Sequence, residues 1–159
     1  MGAGRLESIH TAPEGAAPTV VGHEAVLEAG RGVVGDRYYL KNSSARRKGG
    51  RDGPHREVTL IEAEAVEAAA REYGIEFGPG AARRNLVTRG VPLNHLVGRE
   101  FSVGTVRLRG ILLCEPCLHM ERLAGKPGIR KSLVHRGGLN AEILSSGTVR
   151  PGDAVVWQD

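Results

Sequence analysis

Cys114 and Cys117 are the only thiols in the chain, and they stand three positions apart in the run Leu-Leu-Cys-Glu-Pro-Cys-Leu-His-Met at residues 112–120. An apolar, β-branched stretch over residues 103–113 leads into them, so they fall where a strand ends. Pro116 lacks a ladder donor and fixes its own φ, which stops the strand and turns the chain. Cys117 follows that turn, and His119 lies two residues on. A thiol at a rigid strand end, near a titratable ring and downstream cations, can be held as thiolate. A thiolate is what a soft metal centre or a sulfur-transfer reaction requires. Cys117 as the working atom competes with Cys117 as a buried structural cysteine; the Pro-Cys turn and the cationic loops favour the first. Cys114 closes the apolar run and reads as core. The pair also forms a C-x-x-C, the signature of a redox pair or of half a zinc site. His119 and His135 offer two more zinc ligands, but no second C-x-x-C exists, and zinc ranks lower.

Around these sulfurs the cations come in clusters. Arg46, Arg47, Lys48, Arg51 and Arg56 fall in one loop, Arg83, Arg84 and Arg89 in a second, and Arg122, Lys126, Arg130, Lys131 and Arg136 in a third. Clusters confined to loops read as the rim of a pocket, although the first, taken alone, reads as a solvated loop. The formal charge of +4 and a pI of about 9.4 fit an anionic partner without choosing one. Arg37 follows Gly35 and Asp36. Its guanidinium matches phosphate oxygens bidentately, or it pairs with Asp36; the flanking glycine, which lets backbone come close, favours the phosphate. Arg83 and Asn85 offer directed donors, against loop solvation for the arginine and turn formation for the asparagine. Arg130, Lys131, His135 and Arg136 are candidates for the rim. His119 has the pKa range of a proton donor in a reduction, but a surface histidine is the more common case. Asp153 belongs to a Pro-Gly-Asp turn and is structural.

The elements that must position these residues are mostly short strands. At 159 residues the chain is one domain, residues 1–159, and a chain of that size buries roughly 68–70% of its unfolded surface without staples. Aromatics are scarce at 4% while glycines number 23, a composition of many turns and many strands. Strands are expected over 5–11, 20–27 (kinked near Gly22), 57–61, 85–88, 99–103, 105–113, 139–144 and 154–157. One clear helix is expected over 62–73, where Ile61, Ala65, Val66, Ala69, Ala70 and Tyr73 make a stripe at helical spacing and Gly74 is a natural stop. Its outer surface is largely glutamate, so it shields the sheet. Helical turns are expected near 91–96 and 120–124. Residues 30–39 hold three glycines around a strand, without the helix start that a dinucleotide fingerprint needs. Residues 41–55 read as a mobile basic loop. The fold class is mainly β with some α: a small, partly closed β-barrel with one main helix and short helical turns. Two cysteines make no disulfide framework, and neither a signal-peptide core nor a long apolar run is present, so a cytoplasmic protein is expected, with no membrane partner.

In order along the chain, Gly35-Asp36-Arg37-Tyr38, the stretch 56–60, Gly80 with Arg83, Arg84, Asn85 and residues 86–88, Leu96 to Gly98, Pro116-Cys117, Arg136-Gly137-Gly138 and residues 150–155 together resemble the MOSC domain, named for the C-terminal part of molybdenum cofactor sulfurase. Each piece alone is weak and the ordered set is strong; it covers nearly the whole chain. The resemblance implies a strand-rich barrel that binds the molybdenum cofactor, Mo-molybdopterin, with Cys117 as the metal ligand and catalytic centre. It implies that Arg37, Arg83 and Asn85 contact phosphate or pterin, and it brings Arg136 in as a further cofactor-binding candidate. Proteins similar to this reduce N-hydroxylated compounds with electrons from an external redox partner, and others are proposed to carry sulfur. The sequence departs from the pattern at Arg84, where many short members have glutamate.

The expected function is therefore a molybdenum-cofactor-binding reductase of small N-hydroxylated substrates. The alternative is a non-catalytic carrier with persulfide on Cys117, or a cofactor carrier. A nucleic-acid-binding barrel ranks last, because scarce aromatics argue against base stacking.

Overall fold

The computed structural model describes residues 1–42 and 57–159. The basic run from Arg46 to Arg56 lies outside the described residues.

Among the described residues eleven strands form: β1 (Gly2–Thr11), β2 (Val20–Gly22), β3 (Ala25–Glu28), β4 (Gly32–Val33), β5 (Val58–Glu62), β6 (Leu86–Arg89), β7 (Glu100–Val103), β8 (Val106–Leu113), β9 (Leu139–Ile143), β10 (Gly147–Val149) and β11 (Ala154–Trp157). Four α-helices accompany them: α1 (Arg37–Asn42), α2 (Ala63–Tyr73), α3 (Leu118–Ala124) and α4 (Ile129–Ser132). The main sheet runs β11-β7-β8-β9-β5-β6-β1-β2, and β11 pairs back onto β1. That pairing, from Gly2 opposite Trp157 to Arg5 opposite Ala154, closes a seven-stranded barrel and leaves β2 outside it. The barrel expected from the sequence is present, and its closure is complete. Closure removes the unpaired edges that an open sheet of this size would expose.

The pairs are antiparallel except β5 with β6. A parallel pair needs a crossover, and α2 supplies it. This accounts for β5, in which Val58 to Ile61 are all buried. Val58 and Leu60 face the barrel interior with Leu6, Leu86, Leu108 and Leu139. Ile61 faces outward into a second cluster with Val66, Ala69, Val87, Met120, Ile129 and Leu133. The second cluster is what docks α3 and α4. Burying Met120 alone removes a side chain worth about 1.5–3 kcal/mol from water, which holds α3 against the barrel.

The elements follow the sequence reading closely, with three differences. The stretch 20–27 is two strands in different sheets, because β3 pairs with β10 and β4 while β2 pairs with β1. Residues 147–149, where no strand was expected, form β10. A helix does start after the glycine-rich strand: α1 begins at Arg37 itself. Asp36 at the preceding position accepts the Ala12 N–H on its Oδ1 at 3.0 Å, a tertiary contact that local pattern cannot show.

Candidate active site

Cys117 stands in extended conformation (φ −124°, ψ 164°) as the residue before the first turn of α3, and its Sγ accepts the Met120 N–H at 3.4 Å. The side chain is exposed. The strand β8 ends at Leu113, as Pro116 requires, and residues 114–117 carry the chain across to α3.

This segment is tied down from several sides. The Cys114 N–H donates to the Gly138 carbonyl at 2.7 Å. The Glu115 carboxylate accepts the His135 N–H at 3.0 Å. Gly137 packs so closely underneath that a β-carbon there would meet the Cys114 carbonyl oxygen at 2.5 Å. Gly138 has φ +112°, and a β-carbon on it would collide with the Leu60 carbonyl. The Gly-Gly pair is thus required on both counts, by close approach and by backbone conformation.

Beside Cys117 opens a cleft of two connected lobes, about 450 Å³ and about 420 Å³. Arg37, Tyr38, Arg83, Arg84 and Cys117 line both. Pro13 to Gly15, His119 and Met120 complete the first lobe. Thr59, Leu112 to Glu115 and Asn140 complete the second. Each lobe falls in the size range of small-molecule sites, roughly 300–1,000 Å³.

The electrostatics are one-sided. Arg83 and Arg84 are 7% and 8% exposed. The Arg83 guanidinium donates to the carbonyls of Ala17 at 2.6 Å and Gly15 at 3.1 Å. That of Arg84 donates to Gly137 at 2.8 Å, Ala82 at 3.1 Å and Cys114 at 3.1 Å. Among the described residues neither guanidinium has a carboxylate within salt-bridge distance. Both are solvated by neutral carbonyls, so their charge is retained inside the cleft. Burial, and then the nearby charge of Arg37, pull the Arg83 pKa below its ordinary value. Arg37 is the exception to the pattern, because its guanidinium lies 3.4 Å from Asp36 Oδ1 and 4.6 Å from the Tyr38 ring centroid, a cation–π distance. Asp36 is fully buried, and its Oδ2 has no partner among the described residues.

The structure brings Cys117, Arg37 and Arg83 together. Asn85 lies beneath them rather than on the cleft wall. Its Oδ1 accepts from the Thr59 N–H at 3.1 Å and from the Thr59 hydroxyl at 3.2 Å, and its Nδ2 donates to the His10 carbonyl at 3.2 Å. The asparagine therefore joins β1, β5 and β6 just below the cleft. Arg136 does not line the cleft. Its Nε donates to the Ser132 carbonyl and its Nη2 to Glu72 on α2, both at 2.8 Å. Cys114 is half-buried and lines the second lobe. Burial pushes its thiol above the ordinary value, against a smaller opposing effect of Arg84. His119 is exposed on the first lobe, 3.4 Å from the Gly15 carbonyl. Among the described residues no group of three or more His, Cys, Asp or Glu is placed to hold a metal, so the C-x-x-C and the two histidines do not gather into a zinc set. Asp153 Oδ2 accepts the Arg150 N–H at 2.8 Å, as its turn role requires.

Sequence reasoning did not place Tyr38 or the Pro13 to Gly15 loop at the site. It counted Arg84 among the cations of a pocket rim and as a departure from a pattern, without giving it a role of its own. Consecutive arginines directly before a buried asparagine were the available signal, since two long cations side by side next to core have few places to go but a shared polar cleft.

Fold and cleft together define a class: a closed β-barrel that presents one exposed thiol beside buried arginines held by backbone carbonyls. The chain belongs to the MOSC domain family, whose pattern matches residues 47–156. Arg83, Asn85, Cys117 and Arg136 fall within that match, and Arg37 and Tyr38 precede it. The fold is similar to that of the YuaD protein from Bacillus subtilis, with a TM-score of 0.78 and 17% identity over 96% of this chain and 94% of that one. It is also similar to YiiM from Escherichia coli (TM-score 0.66, 18% identity, 98% and 70% of the two chains). YiiM from Geobacillus stearothermophilus is a third (0.65, 15%, 98% and 73%). No curated protein sequence matches it closely enough to count as a relative. Among the described residues no helix is long and apolar enough to cross a membrane.

Proposed function

We propose that the cleft binds the molybdenum cofactor and that the protein is a reductase of small N-hydroxylated compounds, supplied with electrons by a separate redox protein. The observation that carries this reading is the combination of two buried guanidinium groups, without a carboxylate partner among the described residues, with an exposed thiol lining the same cleft.

The residues present fit the group. A thiolate is a soft donor suited to molybdenum, and Cys117 offers it at the surface of the cleft. A phosphate needs directed cationic donors, and Arg37 and Arg83 supply them where water is partly excluded. Two lobes leave room for a pterin and for a substrate. When bound, the cofactor supplies the redox centre at which an N–OH oxygen is removed, with two electrons and two protons yielding the amine and water. The chain's own part is binding and orientation. Arg83 fixes the Glu14 to Ala17 loop as one wall. Arg84 fixes the Cys117 segment as the other. His119, on the first lobe beside Cys117, is the titratable ring placed to hand a proton to a bound substrate.

The exposure of Cys117 also suits a second reading, a carrier that bears persulfide on that sulfur for delivery to another protein. One experiment separates them. The wild type and Cys117→Ala are expressed in a host that makes the cofactor and purified anaerobically, and molybdenum and oxidised pterin are measured. Stoichiometric molybdenum in the wild type, lost in Cys117→Ala, is the expected result. Molybdenum and pterin both absent from the wild type, with labile sulfane sulfur on Cys117, would replace the reductase by the carrier.

A further inference from the structure

Arg84 has an unusual set of partners. Its guanidinium carries five N–H groups. Nε donates to Gly137, one Nη1 hydrogen to Ala82, and Nη2 to Cys114 at 3.1 Å and Glu115 at 3.5 Å. Four backbone carbonyls from three separate chain segments meet on one side chain. Two of them belong to the residues that run directly into Cys117.

Residues 114 and 115 have two further ties. Gly138 takes the Cys114 N–H, and His135 donates to Glu115. Both lie on the turn that leads into β9. Arg84 and Ala82 lie on the opposite side, on the chain that enters β6. Without Arg84 the segment would be held only at its ends, by the β9 turn and by α3, whose first turn Cys117 caps, and the carbonyls of Cys114 and Glu115 would lose their donor. A carbonyl that loses its donor turns to water, so residues 114 and 115 would shift toward solvent.

We infer that Arg84 is the positioning residue for Cys117: it clamps the Cys114–Glu115 carbonyls to the entry of β6 and so fixes where the sulfur stands in the cleft. The charge is not what does this, since lysine carries the same charge. The planar fork is required, because only a guanidinium reaches four carbonyls in three directions. The inference rests on Cys117 as the working sulfur, but it concerns the protein chain alone and is tested without cofactor.

The test uses metal-free wild type, Arg84→Lys and Arg84→Ala. Iodoacetamide labelling at Cys114 and Cys117 is followed by peptide mass spectrometry, with amide hydrogen exchange measured in parallel. In the wild type Cys117 labels well ahead of half-buried Cys114. In Arg84→Lys that selectivity falls by at least about tenfold, and exchange speeds up over residues 113–118 while β1, β5 and β6 stay protected. Methylguanidine added to Arg84→Ala restores the selectivity, which a general loss of stability would not allow. Unchanged selectivity in Arg84→Lys overturns the inference. So does faster exchange spread evenly over the barrel, or a failure of methylguanidine to rescue when Arg84→Ala is folded by circular dichroism. Molybdenum content plays no part in these readouts, so the proposed function can fail while the clamp stands.

Discussion

Arg83 and Arg84 are neighbours in sequence, yet their guanidinium groups hold opposite walls of one cleft. Arg83 grips Gly15 and Ala17, and Arg84 grips Cys114 and Gly137. The divergence begins in the backbone. Arg83 has φ +59° and ψ 32°, the left-handed region, at the end of the turn Pro79–Ala82. That conformation costs a residue with a β-carbon roughly 1–2 kcal/mol. Here it lets two consecutive long side chains leave the chain in different directions.

The backbone cost can be measured directly. Arg83→Ala and Arg83→Gly both remove the guanidinium, but only glycine adopts the left-handed region freely. Arg83→Gly is expected to be more stable than Arg83→Ala by about 1 kcal/mol, read from urea unfolding at equal m-value. Equal stabilities would mean that the loop relaxes out of this conformation once the side chain is gone.

The retained charge should show itself as anion binding. Inorganic phosphate titrated into the metal-free protein should bind the cleft, with affinity falling as salt is raised. Arg37→Gln and Arg83→Gln should each weaken it about tenfold, in line with the loss of one charge-assisted bond. Isothermal titration at two ionic strengths decides this. Affinity that neither substitution changes would place the phosphate elsewhere.

Asn85 should behave as a strut. Asn85→Ala removes the side-chain partner of the Thr59 amide and of the His10 carbonyl, while the Thr59 hydroxyl keeps the N–H of residue 85. The expected loss is roughly 2–4 kcal/mol of unfolding free energy, with the pterin content of the folded fraction unchanged. Lost pterin at unchanged stability would give Asn85 a direct contact with the cofactor instead.

His10 should give a pH dependence. It is buried, its Nε2 lies 2.9 Å from the Ser8 hydroxyl, and its Nδ1 has no partner among the described residues. Burial holds its pKa below the ordinary value of 6.5. In the window between the two values the unfolded chain binds the proton and the folded chain does not. The contribution is thus fully present above pH 6.5 and is lost as pH falls through the lowered folded value. Unfolding free energy measured from pH 8 to pH 5 should fall on the acid side, and His10→Gln should flatten that fall.

Much of the architecture was legible because its causes are local. Pro116 ends β8, Gly74 at φ +64° ends α2, and the stripe Ala65, Val66 and Ala69 buries α2. Cys117 at the strand-to-helix crossing followed from the same punctuation. Barrel closure did not, because the β1–β11 pairing joins residues at the two ends of the chain, and no short-range pattern records such a partner. The roles of the candidate side chains were hidden for a related reason. Asn85, Arg84 and Arg136 are polar residues of similar appearance in sequence. One became a strut, one a clamp and one a tie between α2 and α4.

The sequence by itself determined that this chain makes a strand-rich domain with a thiol where a strand gives way to a helix and a surplus of cations in loops, since composition, spacing and turn chemistry act over a few residues. Only the tertiary structure decided which cations keep their charge inside a cleft and which spend it elsewhere. That choice depends on whether carboxylates or carbonyls arrive from distant segments: Glu72 reaches Arg136, while Gly15, Ala17, Cys114 and Gly137 reach Arg83 and Arg84. A carbonyl satisfies a guanidinium's hydrogens without cancelling its charge, and that difference is what gives the cleft its cationic lining.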